Sequence, residues 1–134
     1  MTGSGRLRVL IVDDEAVIRD ALSEFLEEEG VQVVGVAKDG LEGVAVATEL
    51  LPDVVLMDMR MPVLDGLRAT RLLKARCPTM RIVVLTAYDD LALRQSAAAA
   101  GADAYLIKGM RSEALMESLV PSSADVTAKI ATTL

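Results

Sequence analysis

The stretch DVVLMDMRMPVLDG, residues 53–66, decides how the chain is read. Four apolar residues, Val54 to Met57, run straight into Asp58. The same arrangement stands near the start, where RVLIV, Arg8 to Val12, runs into Asp13 and Asp14. A short apolar run without alternation is what a strand covered on both faces requires, and such strands belong to parallel sheets. IVVLT, Ile82 to Thr86, is a third run of this kind. VQVVGVA from Val31 and AYLI from Ala104 are less uniform or shorter, and suit the sheet edges.

Helical patterns separate these runs. Ile18, Ala21, Leu22, Phe25 and Leu26 share one helical face, opposite Arg19, Asp20, Glu24, Glu27 and Glu28, and Gly30 supplies a left-handed stop. Leu41, Val44 and Ala45 begin a second helix, with Asp39 as cap and Glu42 three residues on; its two glycines weaken it. A third runs from Gly66 toward Arg76 and ends before Pro78. A fourth follows Asp89 and Asp90 through the alanine run Ala97 to Ala100, which permits close packing, and stops at Gly101. SEALMESLV from Ser112 forms a fifth, closed by Pro121.

Strands that alternate with helices predict an α/β chain with one parallel sheet and right-handed crossovers. Residues 1–120 are expected to form one domain, and 121–134 a linker or an extra short helix. Val126, Ile130 and Leu134 in that tail recur every four residues, a small apolar face with no obvious home in a five-helix sandwich.

Composition narrows the chemistry. The chain of 134 residues carries a formal net charge of −6, which repels nucleic-acid backbones and anionic membranes. Arg68, Arg71, Lys74 and Arg76 cluster mildly and read as a solvated helix face. There is no histidine and a single cysteine, Cys77, at a helix end. Disulfides, ordinary zinc sites and histidine acid-base or nucleophile pairs are therefore excluded, leaving carboxylates with a hard cation such as magnesium. No apolar run approaches the roughly 18 residues of a membrane helix. RLRVLIV breaks too soon for a secretory signal, so the expected location is cytoplasmic, without membrane contact.

In open α/β sheets, ligands sit beyond the carboxyl ends of the strands. The first strand ends in Asp13 and Asp14, the third in Asp58, the fourth in Thr86 and the fifth in Lys108. With strand order 2-1-3-4-5 the first and third strands flank the crevice where the winding reverses, and the three carboxylates converge there. Bare, they repel one another; a divalent cation relieves the repulsion and prefers such oxygens. Asp58 is then available as a nucleophile toward phosphorus, with Lys108 as a point cation and Thr86 as a hydroxyl donor to the phosphoryl oxygens. Singly, each has an ordinary explanation: Asp13 or Asp14 as a helix cap, Asp58 as a turn residue, Thr86 as a strand residue, Lys108 as a solvated charge, Tyr105 as an edge-strand aromatic with its hydroxyl in water. Jointly those explanations are strained.

The motifs VDDE at residues 12–15, MDMRMPVLDG at 57–66, LTAY at 85–88 and GADAYLIKG at 101–109 closely resemble the receiver domain of bacterial two-component response regulators. The likeness covers about Arg8 to Leu119. It implies a flavodoxin-like (βα)5 three-layer sandwich in which Asp58 takes a phosphoryl group from a sensor histidine kinase. It further implies that Asp13, Asp14, Asp58 and the backbone carbonyl of Arg60 hold Mg2+, that Lys108 and Thr86 contact the phosphoryl oxygens, and that Thr86 and Tyr105 form the switch. Arg60 and Tyr88 stand where the family tunes dephosphorylation. Such a chain is no enzyme beyond catalysing its own phosphotransfer and autodephosphorylation, and a homodimer on phosphorylation is one assembly open to it.

Gly109 follows Lys108 where many receivers have proline, so the cis peptide bond found there in the family is not expected. LIKG and the tail after Pro121 resemble regulators whose linker helix leads to a LuxR-type DNA-binding domain, here absent, which would control transcription. Two other functions compete: a phosphorylation-independent dimerisation module, and a magnesium-dependent phosphatase with an aspartyl-phosphate intermediate. Phosphatases of the haloacid dehalogenase type carry a second aspartate two residues after the nucleophile, where this chain has Arg60.

Overall fold

A computed structural model describes residues 5–121. Five parallel strands, β1 (Arg8–Val12), β2 (Gln32–Ala37), β3 (Val54–Met57), β4 (Arg81–Thr86) and β5 (Ala104–Ile107), form one sheet in the order β2-β1-β3-β4-β5. The helices are α1 (Ala16–Glu28), α2 (Gly40–Leu50), α3 (Gly66–Arg76), α4 (Leu91–Ala100) and α5 (Ser112–Ser118). The three uniformly apolar runs occupy the centre and the two weaker ones the edges, as two-sided burial requires.

Alternation along each strand splits the core. Leu10, Val12, Val55, Met57, Ile82 and Val84 face Val44 and Ala47 of α2, Ala69 and Leu73 of α3, and Ala97 of α4. Val9, Ile11, Val54, Leu56 and Val83 face Leu26 of α1 and Leu115 and Leu119 at α5. Three helices thus cover one face and two the other. This is the flavodoxin-like sandwich expected from the sequence.

Caps fix where the helices begin. Asp39 accepts from the Glu42 N–H (2.8 Å) and Asp65 from the Arg68 N–H (2.9 Å), while Asp90 takes the Ala92 N–H (2.9 Å). Neither Asp13 nor Asp14 caps α1. Glu15 holds the cap position without a side-chain bond, and Asp13 Oδ1 accepts from the Glu15 N–H at 2.9 Å instead. The glycines that weaken α2 on propensity serve packing: a Cβ on Gly43 would meet Val12 Cγ1 at 2.8 Å.

One basic residue departs from the reading as a solvated helix face. Arg68, Arg71 and Arg76 are exposed, but Lys74 is half-buried, pairing with Asp103 Oδ2 at 2.7 Å and donating to the Met80 carbonyl at 2.8 Å. Asp103 Oδ2 also accepts the Ile82 N–H at 2.8 Å, so one carboxylate ties α3 to the start of β4 and to the turn before β5. Asp103→Ala leaves the ammonium with only the Met80 carbonyl and that N–H without its acceptor, and is expected to cost about 2–4 kcal/mol in urea unfolding. Lys74→Met keeps the apolar stem and leaves Asp103 bonded to Ile82, so it should cost clearly less. Equal losses would refute this division of labour.

Candidate functional site

The carboxyl ends of β1, β3, β4 and β5 meet at one edge of the sheet. Asp13 extends β1, its N–H donating to the Ala37 carbonyl at 3.0 Å, and Asp58 extends β3, its N–H donating to the Val12 carbonyl at 2.9 Å. Both carboxylates are therefore placed by backbone ladder bonds and have little freedom to separate. Both are also buried, at 2% and 5% exposure, whereas Asp14 is exposed.

Lys108 follows β5 and reaches across. Its Nζ lies 2.8 Å from Asp13 Oδ2, 3.6 Å from Asp58 Oδ2 and 4.0 Å from Glu15 Oε1. Burial pulls the ammonium pKa down, but the hydrogen bond to Asp13 and the charges of Asp58, Asp13 and Glu15 outweigh it, and it stands above the ordinary lysine value. Asp58 shows the opposite balance. Burial first, and then the Asp13 charge, push its carboxyl up from 3.8 to about 6, against Lys108 and the Met59 N–H, which donates to Oδ1 at 2.9 Å.

The residues present fit a divalent cation. Asp13, Asp14 and Asp58 each offer a carboxylate oxygen, and these oxygens lie within 4.8 Å of one another. One ammonium does not balance three carboxylates and Glu15. Hard oxygen donors with some exposure suit magnesium, which retains part of its water.

The loop after Asp58 is held from beneath by two close approaches. Gly66 N–H donates to the Met59 carbonyl at 2.8 Å, and a Cβ on Gly66 would stand 1.8 Å from the Asp58 carbonyl oxygen. Gly40 N–H donates to the Leu64 carbonyl at 3.0 Å, and a Cβ there would stand 2.0 Å from that oxygen. Side chains at either place would drive the loop, and Arg60 with it, away from the sheet.

Thr86 closes β4, fully buried; its Oγ1 accepts the Tyr88 N–H at 3.3 Å and its carbonyl accepts the Lys108 N–H at 2.7 Å. Tyr105, three residues before Lys108 on β5, does not give its hydroxyl to water. It donates to the Tyr88 carbonyl at 2.6 Å, and the Arg94 guanidinium stands 4.8 Å from its ring centre. Arg60 in turn lies 3.9 Å from the centre of the exposed Tyr88 ring. No cis peptide bond occurs among the described residues, Lys108–Gly109 included, and Gly109 takes φ +92°, where glycine is favoured.

The structure thus brings Asp13, Asp14, Asp58 and Lys108 together and sets Thr86 and Tyr105 on the two neighbouring strands. Sequence reasoning passed over Glu15, although its place right after the acidic pair was a signal. The loop supports at Gly40 and Gly66 left only a trace, as glycines at helix starts.

Residues 9–120 match the family described as the response regulator receiver domain. Over 115 residues the chain is 35% identical to the transcriptional regulatory protein LnrK of Bacillus subtilis, covering 85% of this chain and 52% of that one. It is 45% identical over 82 residues to a protein-glutamate methylesterase/protein-glutamine glutaminase of Geobacter sulfurreducens, covering 60% of this chain and 23% of that one. The crystal structure of a LuxR-family two-component response regulator from Aurantimonas superposes with a TM-score of 0.78 at 28% identity, over 96% of this chain and 98% of that one. The chain spans about half the length of LnrK and less than a quarter of the methylesterase/glutaminase.

The raised Asp58 value carries a stability consequence. Between pH 3.8 and about 6 the folded chain holds a proton that the unfolded chain has released, so stability falls as pH rises through that window and the full penalty stands at pH 8. Asp58→Asn removes it. In metal-free buffer at pH 8 the variant is expected to be more stable than wild type by up to about 3 kcal/mol in urea, an advantage that shrinks toward pH 4. Added Mg2+ should narrow the gap by stabilising wild type. A variant less stable at pH 8 would show that the Asp58 charge is not strained in the fold.

Proposed function

The chain belongs to the response regulator receiver domain family, and from that premise we propose that it is a phosphorylation switch with Asp58 as the phosphoacceptor. The observation that carries this is the convergence of Asp58 with Asp13, Asp14 and Lys108 at the crevice between β1 and β3. A phosphoryl acceptor needs an oxygen nucleophile, countercharge for the incoming oxygens, and a way to keep neighbouring carboxylates from repelling them.

In the proposed reaction an oxygen of the Asp58 carboxylate attacks the phosphorus of a phosphohistidine on a sensor histidine kinase. The P–N bond breaks, its electron pair stays on the imidazole nitrogen, and an acyl phosphate remains on Asp58. Asp13, Asp14 and Asp58, with the Arg60 carbonyl, would hold Mg2+. Bound there, Mg2+ supplies positive charge against the carboxylates and the phosphoryl oxygens.

Lys108 gives up part of its contact with Asp13 and Asp58 to pair with the new oxygens. The Met59 N–H fixes one Asp58 oxygen and so presents the other to the donor. These 134 residues contain no histidine, so the phosphohistidine donor, or a small phosphodonor, lies outside them. Hydrolysis of the acyl phosphate by water resets Asp58, and no other substrate is turned over.

The readout follows from the same geometry. A phosphoryl group of charge about −2 attracts the Thr86 hydroxyl, which now accepts from the Tyr88 N–H. Drawing Thr86 inward loosens the loop that holds the Tyr105 hydroxyl at the Tyr88 carbonyl, so Tyr105 turns in and the surface of α4, β5 and α5 changes. That surface would form a homodimer on phosphorylation, and through a LuxR-type DNA-binding domain outside these residues would control transcription. Likeness to the LuxR-family structure supports this output. No helix among the described residues is long and apolar enough to cross a membrane.

Intact-protein mass after incubation with acetyl phosphate tests the chemistry. Wild type with Mg2+ should gain one phosphoryl group; EDTA or Asp58→Asn should abolish the gain. Lys108→Ala should slow it by about 10²-fold or more, since one preorganised charge contact is worth roughly 3 kcal/mol at such a site. Thr86→Ala should keep phosphorylation and lose any phosphorylation-dependent dimerisation. An adduct that persists in Asp58→Asn would overturn the assignment.

A further inference from the structure

The linker or short helix expected over residues 121–134 lies, beyond Pro121, outside the described residues. Within them, Glu15 is the acidic side chain at the site to which the proposed phosphoryl chemistry gives no task. It holds the cap position of α1 yet makes no side-chain cap bond, and its backbone N–H is taken by Asp13 Oδ1 at 2.9 Å. The carboxylate therefore does nothing for the start of the helix. It is 64% exposed, and its one ion-pair partner among the described residues is Lys108, at 4.0 Å. That tie is loose, because Lys108 makes its short contact with Asp13, at 2.8 Å.

The backbone bond to Asp13 nevertheless keeps this charge beside the nucleophile. Lys108 Nζ stands 4.0 Å from Glu15 Oε1 and 3.6 Å from Asp58 Oδ2, so the two oxygens lie within about 8 Å of one another, close enough for unit charges to act on each other across solvent. In the proposed site a divalent cation and Lys108 together match the charges of Asp13, Asp14 and Asp58. Glu15 then stands as an extra negative charge at the exposed mouth, with no part in the cation's ligand set. Every phosphoryl donor comes to Asp58 as an anion, so this charge opposes its approach. A protein donor brings its own side chains and can set a basic one against Glu15; a free small phosphodonor brings none.

We propose that Glu15 is a specificity-determining residue, a negative charge at the mouth of the phosphoacceptor site that disfavours small dianionic phosphodonors relative to a phosphohistidine presented by a protein. The inference rests on the reading of Asp58 as phosphoacceptor. Its effect is Coulombic, so it scales with the charge of the donor and fades as salt is added.

The rate of phosphorylation, followed by intact-protein mass at Mg2+ saturating for each chain, tests it with two small donors. Acetyl phosphate is a dianion near neutral pH, and phosphoramidate carries one net negative charge. At low ionic strength Glu15→Gln should speed reaction with acetyl phosphate by about 3–10-fold and with phosphoramidate by about 2–3-fold, and both gains should vanish in about 1 M salt, where the screening length is about 3 Å. Glu15→Asp keeps the charge and should stay close to wild type. Equal gains with the two donors, or gains that survive salt, overturn the proposal, since release of Lys108 or of a steric block would act on both donors alike. A change confined to the Mg2+ concentration needed, with no gain at saturation, also overturns it and leaves Glu15 serving the cation alone. Wild type that takes a phosphoryl group from neither donor sinks the Asp58 reading and this inference with it, whereas equal rates for wild type and Glu15→Gln sink the inference alone.

Discussion

The fold is organised around a charge imbalance that it cannot relieve by itself. Backbone ladder bonds hold Asp13 and Asp58 at the ends of adjacent strands, both nearly fully buried, and one ammonium, Lys108, is shared between them. Two buried carboxylates beside one cation leave negative charge without a partner, and burial in a low-dielectric setting makes that expensive. The Asp58 carboxyl responds by rising to about 6. A buried carboxylate with too little countercharge is a cost to the fold, and it is the cost that the proposed phosphoacceptor role of Asp58, with a cation beside it, would account for.

That preparation constrains residues far from the charges. A carboxylate in the nucleophile's role proposed for Asp58 would need a loop that cannot swing, and the loop after Asp58 is backed by glycine Cα atoms that leave no room for a side chain. Gly66 sits against the Asp58 carbonyl and Gly40 against that of Leu64, each also donating its N–H into the loop. On propensity, glycine at a helix start adds little, and in α2 it weakens the helix. The compensation is packing: α2 and α3 approach the loop closely enough to act as a floor. The same economy appears at the other end of the sheet, where the Lys74–Asp103 pair secures the start of β4.

What was legible in the sequence follows from periodicity. A run such as Val54 to Met57 has no polar residue to turn outward, so it declares a central strand, and an aspartate right after it declares a site at the carboxyl edge. Capping was legible at Asp39 because its partner Glu42 lies three residues on, and misleading at Asp13, where a strand-end ladder outcompeted the cap. Lys74 was not legible, since its burial depends on Asp103, which reaches it only through the fold. Nor was the hydroxyl of Tyr105, whose acceptor is a backbone carbonyl that carries no sequence signal. The stripe on α1 was read correctly as apolar, but how fully it is covered depends on how many helices share its face of the sheet.

Thr86, Tyr105 and Arg60 all meet at one residue, Tyr88. Tyr88 lends its N–H to the Thr86 hydroxyl, its carbonyl to Tyr105, and its ring to Arg60. Three directions of pull thus end on a single exposed residue in a loop whose backbone belongs to no helix or strand. The hydrogen bond to Thr86, at 3.3 Å, is the longer of the two hydrogen bonds, and it is the one that a phosphoryl group on Asp58, as proposed, would compete for. Arg60 is on the loop that follows Asp58, so it would feel the same charge and be drawn off the Tyr88 ring. In the proposed switch both effects would release Tyr88 in the same direction: one local charge would change several weak contacts with one sign, and none of them would have to break a packed core to do so.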